Sequence, residues 1–405
     1  MSKELKYSIG ENKMTDNYDV VMDLGDQPWG NDYRESSEHE NIPDYPLRLL
    51  YFHDAKLLQL DTFVPKETMF AEHAYVSGMT QSLIDHFHKV ARDNRYKYDL
   101  KEDDLIVDIG GNDGSQLLQY KKLGFNNLIN IEPARNIAKM SEAAGIETIC
   151  EFATEGLLRG NFKQGSVKLF NASGVFFHME DLHSVIKGIV HALADDGIFN
   201  VQFMYAGSMI ENGSYDMIYH EHLCYYTVDS ICRLLRPYGL HLKDAHLSQI
   251  HSGSIIASFV KNKRRYADGG TIQLMKNDMK YDFNAFVEMG KKALAHSKLL
   301  HDFIFDIQQL GSIYAMGAPV KGSTLLNTAR LDDCVIEKAV EINDLKVGKL
   351  MPGSGIPVEK ESKDDYPDYY LLLSHNFADE IIAKNQDFKD KGGKFIVPFP
   401  EITIR

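Results

Sequence analysis

The sequence has few residues of several types, and each shortage narrows the range of functions. Its 405 residues include one tryptophan and four scattered cysteines, Cys150, Cys224, Cys232 and Cys334, with no Cys-x-x-Cys pair. This spacing predicts neither a disulfide framework nor a thiolate metal site and favours a reducing compartment, so we expect a cytoplasmic protein. Lysine and arginine total 44 against 58 acidic residues, for a net charge of −14. Such a chain would repel a phosphate backbone, which argues against a nucleic-acid partner.

Long apolar runs are absent as well. No uncharged stretch approaches the ~20 residues that span a bilayer, and the polar N-terminus lacks the apolar segment of a signal peptide. We therefore expect neither membrane insertion nor secretion. The length exceeds what one hydrophobic core usually organises, so two or three domains are expected, while the oligomeric state stays open.

Three segments of the chain differ in pattern. Residues 1–78 are short apolar runs broken by turn residues, which predicts a small, β-rich, substrate-associated domain. Residues 79–260 begin with a helical pattern over 79–94 and then alternate strands with helices, which is typical of a Rossmann-like, doubly wound α/β domain. Residues 261–405 begin with a charged helical stretch over 263–311, and a new strand, glycine turn and helix follow it. We expect a second α/β domain there.

A glycine-rich turn, Asp108-Ile109-Gly110-Gly111-Asn112-Asp113-Gly114, follows the first strand of the middle segment, and Glu132 ends the next strand. A carboxylate at that place can accept hydrogen bonds from both ribose hydroxyls of a dinucleotide or of S-adenosylmethionine. Asn112 interrupts the dinucleotide pattern Gly-x-Gly-x-x-Gly, and Asp113 would repel a pyrophosphate. The turn therefore favours S-adenosylmethionine, with a dinucleotide site and an empty structural turn as alternatives.

A second motif concentrates proton-transfer groups. Tyr219, His220, Glu221 and His222 are consecutive and follow closely on Asp216. If the segment is extended, His220 and His222 share one face, and Tyr219 and Glu221 share the other. A zinc site would need a third ligand that no obvious second cluster provides, and a structural role is a further alternative.

Two more positions are candidates for ligand contacts. His178 follows a predicted strand and precedes a helix, at the carboxyl edge where open parallel sheets bind ligands, although a lone histidine is more often structural. Residues 317–324 lie between a strand and a helix, where backbone amides and Lys321 could hold a phosphate. Walker chemistry is absent because Lys321 precedes Gly322.

The order of these motifs resembles that of the C-methyltransferases of deoxysugar biosynthesis. These S-adenosylmethionine-dependent enzymes act on nucleotide-linked 4-keto sugars and have a small N-terminal domain, a methyltransferase domain and a C-terminal α/β domain. The resemblance covers nearly the whole chain. Its matching segments are residues 23–28, 45–47, 75, 77, 108–114, 219–222, 253–254, 317–327, 352–353, 356–358 and 398–401.

The resemblance implies roles for individual residues. His222 matches the base near the sugar carbon, and His178, Tyr219, Glu221 and Tyr75 match residues around the substrate. We expect the cofactor to contact Asp108, Gly110, Gly111, Asn112, Asp113, Gly114 and Glu132. We expect the nucleotide sugar to contact Gly317, Lys321, Gly322, Ser323 and Asn327 in the C-terminal domain.

The chain departs from the family pattern in two places. The family's N-terminal domain holds zinc through two Cys-x-x-Cys pairs, whereas Phe52 and Ala55 stand where one pair belongs and the other is missing, so no zinc is expected. Gln202 replaces a usual glutamate. The expected reaction is methylation of a carbon beside a C4 ketone, through an enolate that His222 forms. O-methylation of a nucleotide sugar and a catalytically silent cofactor-binding scaffold are the alternatives.

Overall fold

The chain folds around three large sheets and a two-stranded ribbon. The computed structural model describes residues 3–39, 41–70, 75–250, 253–261 and 268–405. Its architecture confirms the expected α/β class, with a small β-rich N-terminal region, a Rossmann-like methyltransferase sheet and a second α/β unit at the C-terminus. None of the described helices is long and apolar enough to cross a bilayer.

The N-terminal sheet is antiparallel, and one of its four strands comes from far along the chain. Its elements and the ribbon before it are β1 Lys6–Ser8, β2 Lys13–Thr15, β3 Tyr18–Pro28, α1 Ser36–His39, β4 Asp44–Phe52, β5 Leu57–Leu60 and α2 Lys66–Phe70. The strand order is β11-β5-β4-β3, where β11 is Cys224–Tyr225. Cys224 pairs with Gln59 and Tyr225 with Leu58, so the segment just before β11 is fixed to the N-terminal sheet.

The middle sheet has seven strands, of which only β13 runs against the others. Its order is β12-β13-β10-β9-β6-β7-β8. The elements are a 3₁₀ turn Ser77–Met79, α3 Gln81–Lys97, β6 Ile106–Ile109, α4 Ser115–Lys122, β7 Leu128–Ile131, α5 Arg135–Ala143, β8 Glu147–Ile149, α6 Glu155–Asn161, β9 Val167–Ser173, α7 Leu182–Ala192, β10 Leu193–Met204, α8 Ala206–Asn212, a 3₁₀ turn Tyr215–Met217, α9 Val228–Leu235, a 3₁₀ turn Arg236–Tyr238, β12 His241–Ser248 and β13 Ser254–Val260. The central strands are buried on both faces, as parallel strands covered by helices must be.

The C-terminal sheet has six strands in the order β16-β15-β14-β17-β18-β19, and only β19 is antiparallel to its neighbour. Its elements are α10 Gly269–Asp278, α11 Phe283–Gln308, β14 Ile313–Met316, α12 Val320–Ala329, β15 Lys338–Glu341, β16 Val358–Lys360, β17 Tyr369–Leu372, a 3₁₀ turn His375–Phe377, α13 Ala378–Lys384, α14 Gln386–Asp390, β18 Lys394–Val397 and β19 Thr403–Ile404. The chain leaves β14 toward β15 and later returns to β17 on the other side. This reversal creates a topological switch point, where ligands of open α/β sheets bind.

The boundary expected at residue 261 would assign α10 to the C-terminal unit, whereas α10 packs on the middle sheet. Helix α10 packs on β12, and the backbone N–H of Ala245 donates to Thr271 Oγ1 at 2.9 Å. Helix α11 instead crosses β3, so it joins the C-terminal unit to the N-terminal sheet. Through this contact the N-terminal sheet and the C-terminal unit share a hydrophobic core. It includes Leu49 and Leu60 of the sheet together with Phe286 and Leu325 of the C-terminal unit.

Candidate active site

The glycine turn after β6 has the sharp geometry that its sequence predicts. Gly110, Asn112 and Gly114 adopt φ values of 63°, 52° and 77°, in the left-handed region that glycine and asparagine tolerate best. A Cβ atom on Gly110 would lie 2.5 Å from Val175 Cγ2. Packing within the protein therefore requires glycine at this position, independently of a ligand.

The side chains of Asn112 and Asp113 bind the preceding segment of the chain. The backbone N–H of Ser77 donates to Asn112 Oδ1 at 2.9 Å, and that of Gly78 donates to Asp113 Oδ2 at 3.0 Å. Asn112 Nδ2 donates to the carbonyl of Tyr75 at 3.2 Å. The carboxylate of Asp113, which we expected to repel a pyrophosphate, instead helps to hold residues 77–78 against the turn.

Glu132 lies at the carboxyl end of β7, next to the turn, as predicted. Its two carboxylate oxygens accept backbone N–H groups, Oε2 from Asn112 at 3.0 Å and Oε1 from Ala134 at 2.9 Å. These two N–H groups fix the carboxylate beside the turn, and a carboxylate is an acceptor that suits ribose hydroxyls.

Asp108 is buried beside Glu132, with 1% of its surface exposed, and its pKa lies well above the usual range because of burial and the charge of Glu132. Neither oxygen of Asp108 has a hydrogen-bond partner among the described residues. A ligand amino group or a bound water would satisfy such an acceptor. The carboxylates of this turn therefore fit the adenosine and amino groups of S-adenosylmethionine.

The segment from Tyr219 to His222 is a turn, so the extended geometry considered above is wrong. The N–H of His222 donates to the carbonyl of Tyr219 at 2.9 Å, which closes the turn. As a result, the rings of Tyr219 and His222 lie on the same side with centroids 3.9 Å apart. His220 points away, toward the carbonyl of Tyr45 at 3.3 Å.

His222 and His178 face each other across the site, with ring centroids 5.1 Å apart. His222 Nδ1 lies 3.1 Å from the carbonyl oxygen of Met217, and His178 Nδ1 lies 2.6 Å from that of Glu221. A carbonyl only accepts hydrogen bonds, so Nδ1 carries the proton in each ring and Nε2 carries the lone pair. His222 is 4% exposed and packs against Phe177 at 4.5 Å between centroids.

Glu221 is held by two residues of the N-terminal unit that the sequence patterns did not identify. Trp29 Nε1 donates to Glu221 Oε1 at 2.8 Å, and Asn31 Nδ2 donates to the same oxygen at 2.6 Å. The only signal in the sequence was the single tryptophan, just after the matching segment 23–28. Glu221 therefore links the turn to the N-terminal sheet.

Tyr75 connects the two predicted sites. Its side chain is 48% exposed, and its carbonyl is bound by Asn112 of the cofactor turn. Burial raises the pKa of Tyr219 well above its usual range, and the charges of Glu221, Tyr225 and Tyr75 raise it further. The backbone of Tyr75 is thus fixed to the glycine turn.

The predicted phosphate-binding residues have different surroundings. Lys321 is 8% exposed, its Nζ donates to Asn376 Oδ1, and burial lowers its pKa to about 8. Ser323 Oγ donates to the carbonyl of Gly30 at 3.0 Å, and Asn327 Nδ2 donates to that of Pro352 at 3.1 Å. The side chains of Ser323 and Asn327 therefore bind neighbouring segments of the same chain.

The two glycines of this stretch also differ. Gly317 turns the chain with a φ of 82°, whereas a Cβ atom on Gly322 would lie 2.9 Å from Leu373 Cδ1. Glycine is therefore required at position 322 by the packing of α12 on the C-terminal sheet, and at position 317 by the positive φ of the turn.

The residues of the N-terminal unit do not fit a zinc site. No cysteine occurs between residues 14 and 70. Phe52 and Ala55 are buried in the same hydrophobic cluster as Ile9 and Leu57. Among the described residues, the only group of three possible metal ligands is the exposed set at residues 332–334, far along the chain in the C-terminal unit.

Family models match three consecutive parts of the chain. A model described as "Putative zinc binding domain" matches residues 14–70, "Methyltransferase domain" matches residues 76–244, and "C-methyltransferase C-terminal domain" matches residues 249–400. A curated relative, the C-methyltransferase NovU of Streptomyces niveus, is 29% identical over 371 residues, which cover 89% of this chain and 87% of the relative. These matches support a NovU-like C-methyltransferase family for this chain. It is an S-adenosylmethionine-dependent methyltransferase.

Solved structures similar to part of this methyltransferase have low sequence identity. The geranyl diphosphate C-methyltransferase of Streptomyces coelicolor A3(2) is 9% identical, with a TM-score of 0.35, over 45% of this chain and 84% of that chain. The PH0226 protein of Pyrococcus horikoshii OT3 is 10% identical, with a TM-score of 0.37, over 50% of this chain and 100% of that chain.

Proposed function

We propose that the enzyme methylates a carbon atom of a nucleotide-linked keto-deoxysugar, with His222 as the general base. The observation that carries the proposal is the fixed tautomer of His222, whose Nδ1–H is held by the carbonyl of Met217. A ketone acidifies the adjacent C–H, and a neutral imidazole with its lone pair on Nε2 can remove that proton. The negative charge then moves to the ketone oxygen as an enolate.

Tyr219 is the best placed donor for the enolate oxygen. Its ring lies 3.9 Å from that of His222, and its raised pKa keeps the hydroxyl protonated. His178 is less suited to this role because the carbonyl of Glu221 takes its Nδ1–H, so the neutral ring has no second donor. We propose that His178 and Glu221 orient the sugar and that Tyr219 stabilises the enolate.

The cofactor would supply an electrophilic methyl group on its sulfonium. We propose that Glu132 accepts the ribose hydroxyls and that Asp108 accepts an amino group or a water bound to one. Gly110, Gly111 and Gly114 shape the turn, while Asn112 and Asp113 hold the backbone of Tyr75, Ser77 and Gly78 against it. In this arrangement residues 1–78 and 261–405 enclose the sugar nucleotide, and residues 79–260 bind the cofactor.

Deuterium exchange into the sugar tests this proposal directly. The wild-type enzyme, incubated in D₂O with a nucleotide 4-keto-6-deoxysugar and no methyl donor, should exchange the acidic sugar proton. His222→Ala should abolish the exchange and lower kcat by about 10²–10⁴-fold, with unchanged S-adenosylmethionine affinity. Tyr219→Phe keeps the ring against His222 and should lower kcat by about 10²-fold through loss of the donor.

Other outcomes would redirect the assignment. Methylation of reduced, hydroxylated sugars without exchange would indicate an O-methyltransferase, with His222 deprotonating a hydroxyl. Full turnover by His222→Ala would remove the base from the mechanism. No labelled product from any nucleotide sugar would reject this substrate class.

A further inference from the structure

A row of buried polar side chains crosses the middle sheet. It takes one residue from each of six neighbouring strands: Asn130 on β7, Asp108 on β6, Asn171 on β9, Asn200 on β10, Ser258 on β13 and Asp244 on β12. Each residue pairs in register with the next, so the six side chains lie on the same face of the sheet. None of them is more than 4% exposed. Both faces of a largely parallel sheet are normally apolar, so this polar row requires its own explanation.

Several polar atoms of the row have no protein partner. Neither oxygen of Asp108 accepts a hydrogen bond from the described residues, and Asn130 Oδ1, Asn171 Nδ2 and Asn200 Nδ2 have no partner among them either. Buried polar groups are costly unless they are hydrogen-bonded, and ordered water supplies the bond where the protein does not. Neighbouring strands are about 4.8 Å apart, a gap that one water molecule with two hydrogen bonds of about 2.8 Å can bridge. The row therefore fits a chain of bound water molecules.

The outer end of the row reaches solvent between α3 and β12. The hydroxyl of Tyr98 donates to Ser258 Oγ at 2.6 Å, and Ser258 Oγ donates to Asn200 Oδ1 at 2.6 Å. A surface groove of about 430 Å³ begins here, and its titratable residues are Asp93, Tyr96, Lys97, Tyr98, Asp244 and His246. His246 Nδ1 lies 3.5 Å from Asp244 Oδ2, and the side chain of His246 is 48% exposed. A proton that reaches this end of the row can therefore pass to an exposed histidine and to solvent.

The inner end of the row lies beneath the cofactor turn. A Cβ atom on Gly111 would lie 2.9 Å from Asp108 Cγ, so the backbone of the turn rests on this side chain. The titratable groups that interact with Asp108 are Glu132, just after β7, and Tyr120 on α4. Burial and the negative charge of Glu132 raise the pKa of Asp108, so its carboxyl group retains a proton more readily than an exposed aspartate does. A cation at the turn would reverse this preference.

We propose that the row is a hydrated path along which one proton leaves Asp108 for the groove beside Asp244 when the cofactor binds. This inference rests on the proposed function, in which Asp108 faces the amino group of the cofactor. The positive ammonium group favours the carboxylate over the carboxylic acid. The O–H bond of Asp108 breaks, its electron pair stays on the carboxylate, and the proton passes along water molecules held by Asn171 and Asn200. A separate exit is needed because the bound cofactor itself covers the turn.

A proton count tests the source of the proton. S-adenosylhomocysteine is titrated into the full chain by calorimetry at about pH 6.3, where its α-amino group, with a pKa of about 8, is already an ammonium. The dependence of the binding enthalpy on the ionisation enthalpy of the buffer gives the number of protons released. We expect about one proton per ligand in the wild type and about one fewer in Asp108→Asn. Asp85→Asn, which removes an exposed carboxylate on α3, is the control and should release as many protons as the wild type.

The rate of proton release tests the path. A pH indicator follows release after rapid mixing with saturating S-adenosylhomocysteine. Asn200→Leu replaces the amide by an apolar group of similar size, which excludes the bridging water, and should slow release by at least about 10-fold without changing the proton count. Asn200→Ser keeps a hydroxyl and leaves room for water, so it should restore most of the rate. Thermal melts and ligand affinities of both variants check that the fold and the cofactor site are intact.

Three results would overturn the inference. Equal proton counts in the wild type and Asp108→Asn would show that Asp108 is ionised before the cofactor binds. Equal release rates in the wild type and Asn200→Leu would show that the proton leaves through the cofactor opening. A high-resolution crystal structure with direct amide–carboxylate hydrogen bonds along the row, and no water between them, would show that the row is dry.

The proposed function and this inference can fail separately. Deuterium exchange into the sugar that depends on His222, without proton release from Asp108, would reject the path and retain the proposed function. Proton release that depends on Asp108 and slows in Asn200→Leu, without methylation of any nucleotide sugar, would do the opposite.

Discussion

At the scale of single residues, three histidines near the active site are each held by a different backbone carbonyl. His222 is bound to Met217, His178 to Glu221, and His220 to Tyr45. A carbonyl partner fixes the tautomer of a neutral imidazole ring, because only a nitrogen that carries a proton can donate to it. The rings of these three histidines therefore have defined orientations.

His220 makes folding stability depend on pH. Burial lowers the pKa of His220 to about 4, against an ordinary value of about 6.5 in the unfolded chain. Acid therefore protonates the unfolded chain first, so stability is complete above about pH 6.5 and falls as the pH approaches 4. The free energy of unfolding, measured with urea, should fall between pH 7 and pH 4.5. This fall should be roughly 2 kcal/mol smaller in His220→Gln than in the wild type. His88→Gln, exposed on α3, is the control, and an unchanged slope in His220→Gln would contradict the argument.

At the scale of elements, the stretch from Ser214 to Tyr225 is fixed by all three units of the protein. Its end, β11, pairs with β5, Glu221 is bound by Trp29, and the carbonyl of Ile218 accepts a hydrogen bond from Thr324 Oγ1 at 3.1 Å. Asp216 pairs with His375 after β17, with Oδ2 and Nε2 2.7 Å apart and both side chains buried. The position of the Met217 carbonyl, which orients His222, depends on these anchors.

Asp216 should therefore act as a positioning residue for His222. Asp216→Ala should lower kcat by about 10²-fold and shift the pH–rate profile, with unchanged S-adenosylmethionine affinity, because the carbonyl of Met217 moves. Asp216→Asn can still accept from His375 and should restore most of the rate. Although burial raises the pKa of Asp216, His375 and Lys321 bring it below its usual value. The stability from the pair is thus present above the ordinary aspartate pKa and is lost as the pH falls through the lowered one.

Equal rate losses in Asp216→Ala and Asp216→Asn would contradict the positioning role. A parallel loss of cofactor affinity in both would indicate general misfolding instead. The comparison uses full-length protein with matched melting temperatures.

Regular elements could be predicted from the sequence because their periodicity is local. The helix predicted over 79–94 is α3 Gln81–Lys97, and the strand predicted to end at Glu132 is β7 Leu128–Ile131. The turn at Tyr219 could not be predicted, because its shape depends on β11 pairing with a strand more than 160 residues earlier. Trp29 was missed for the same reason, because only the folded chain brings it to Glu221.

The N-terminal sheet should be stable without zinc. Phe52 stands where the family pattern implies a thiolate and is fully buried with Ile9 and Leu57, so we expect hydrophobic packing to take the place of metal bonds. The purified protein should contain well below one equivalent of zinc, and EDTA should leave its melting temperature and turnover unchanged. Phe52→Ala should lower the free energy of unfolding by about 3–5 kcal/mol. One bound zinc per chain, with a fall in melting temperature on chelation, would contradict this account.

At the scale of the whole molecule, the N-terminal sheet and the C-terminal unit share one core, and their contact depends on a glycine. Helix α11 crosses β3 at Gly290, where a Cβ atom would lie 2.0 Å from the carbonyl oxygen of Val21. Val21 lies at an irregularity of β3, but its neighbours Val20 and Met22 both pair with β4, so the backbone cannot yield easily. Strand β3 leads directly into Trp29, which binds Glu221. The turn from Tyr219 to His222 therefore depends indirectly on this crossing.

Gly290→Ala should therefore destabilise the protein, although alanine normally favours a helix. We expect the free energy of unfolding to fall by about 1–3 kcal/mol from overpacking. Gly160→Ala in α6, which has open space around it, should raise it by about 0.5–1 kcal/mol.

The fluorescence of the single tryptophan, Trp29, reports on the N-terminal unit, and far-UV circular dichroism reports mainly on helices elsewhere. The two unfolding curves should coincide in the wild type, because the core is shared, and separate in Gly290→Ala. Separate curves in the wild type would show that the units unfold independently, and stabilisation by Gly290→Ala would show that the crossing is looser than the 2.0 Å approach indicates.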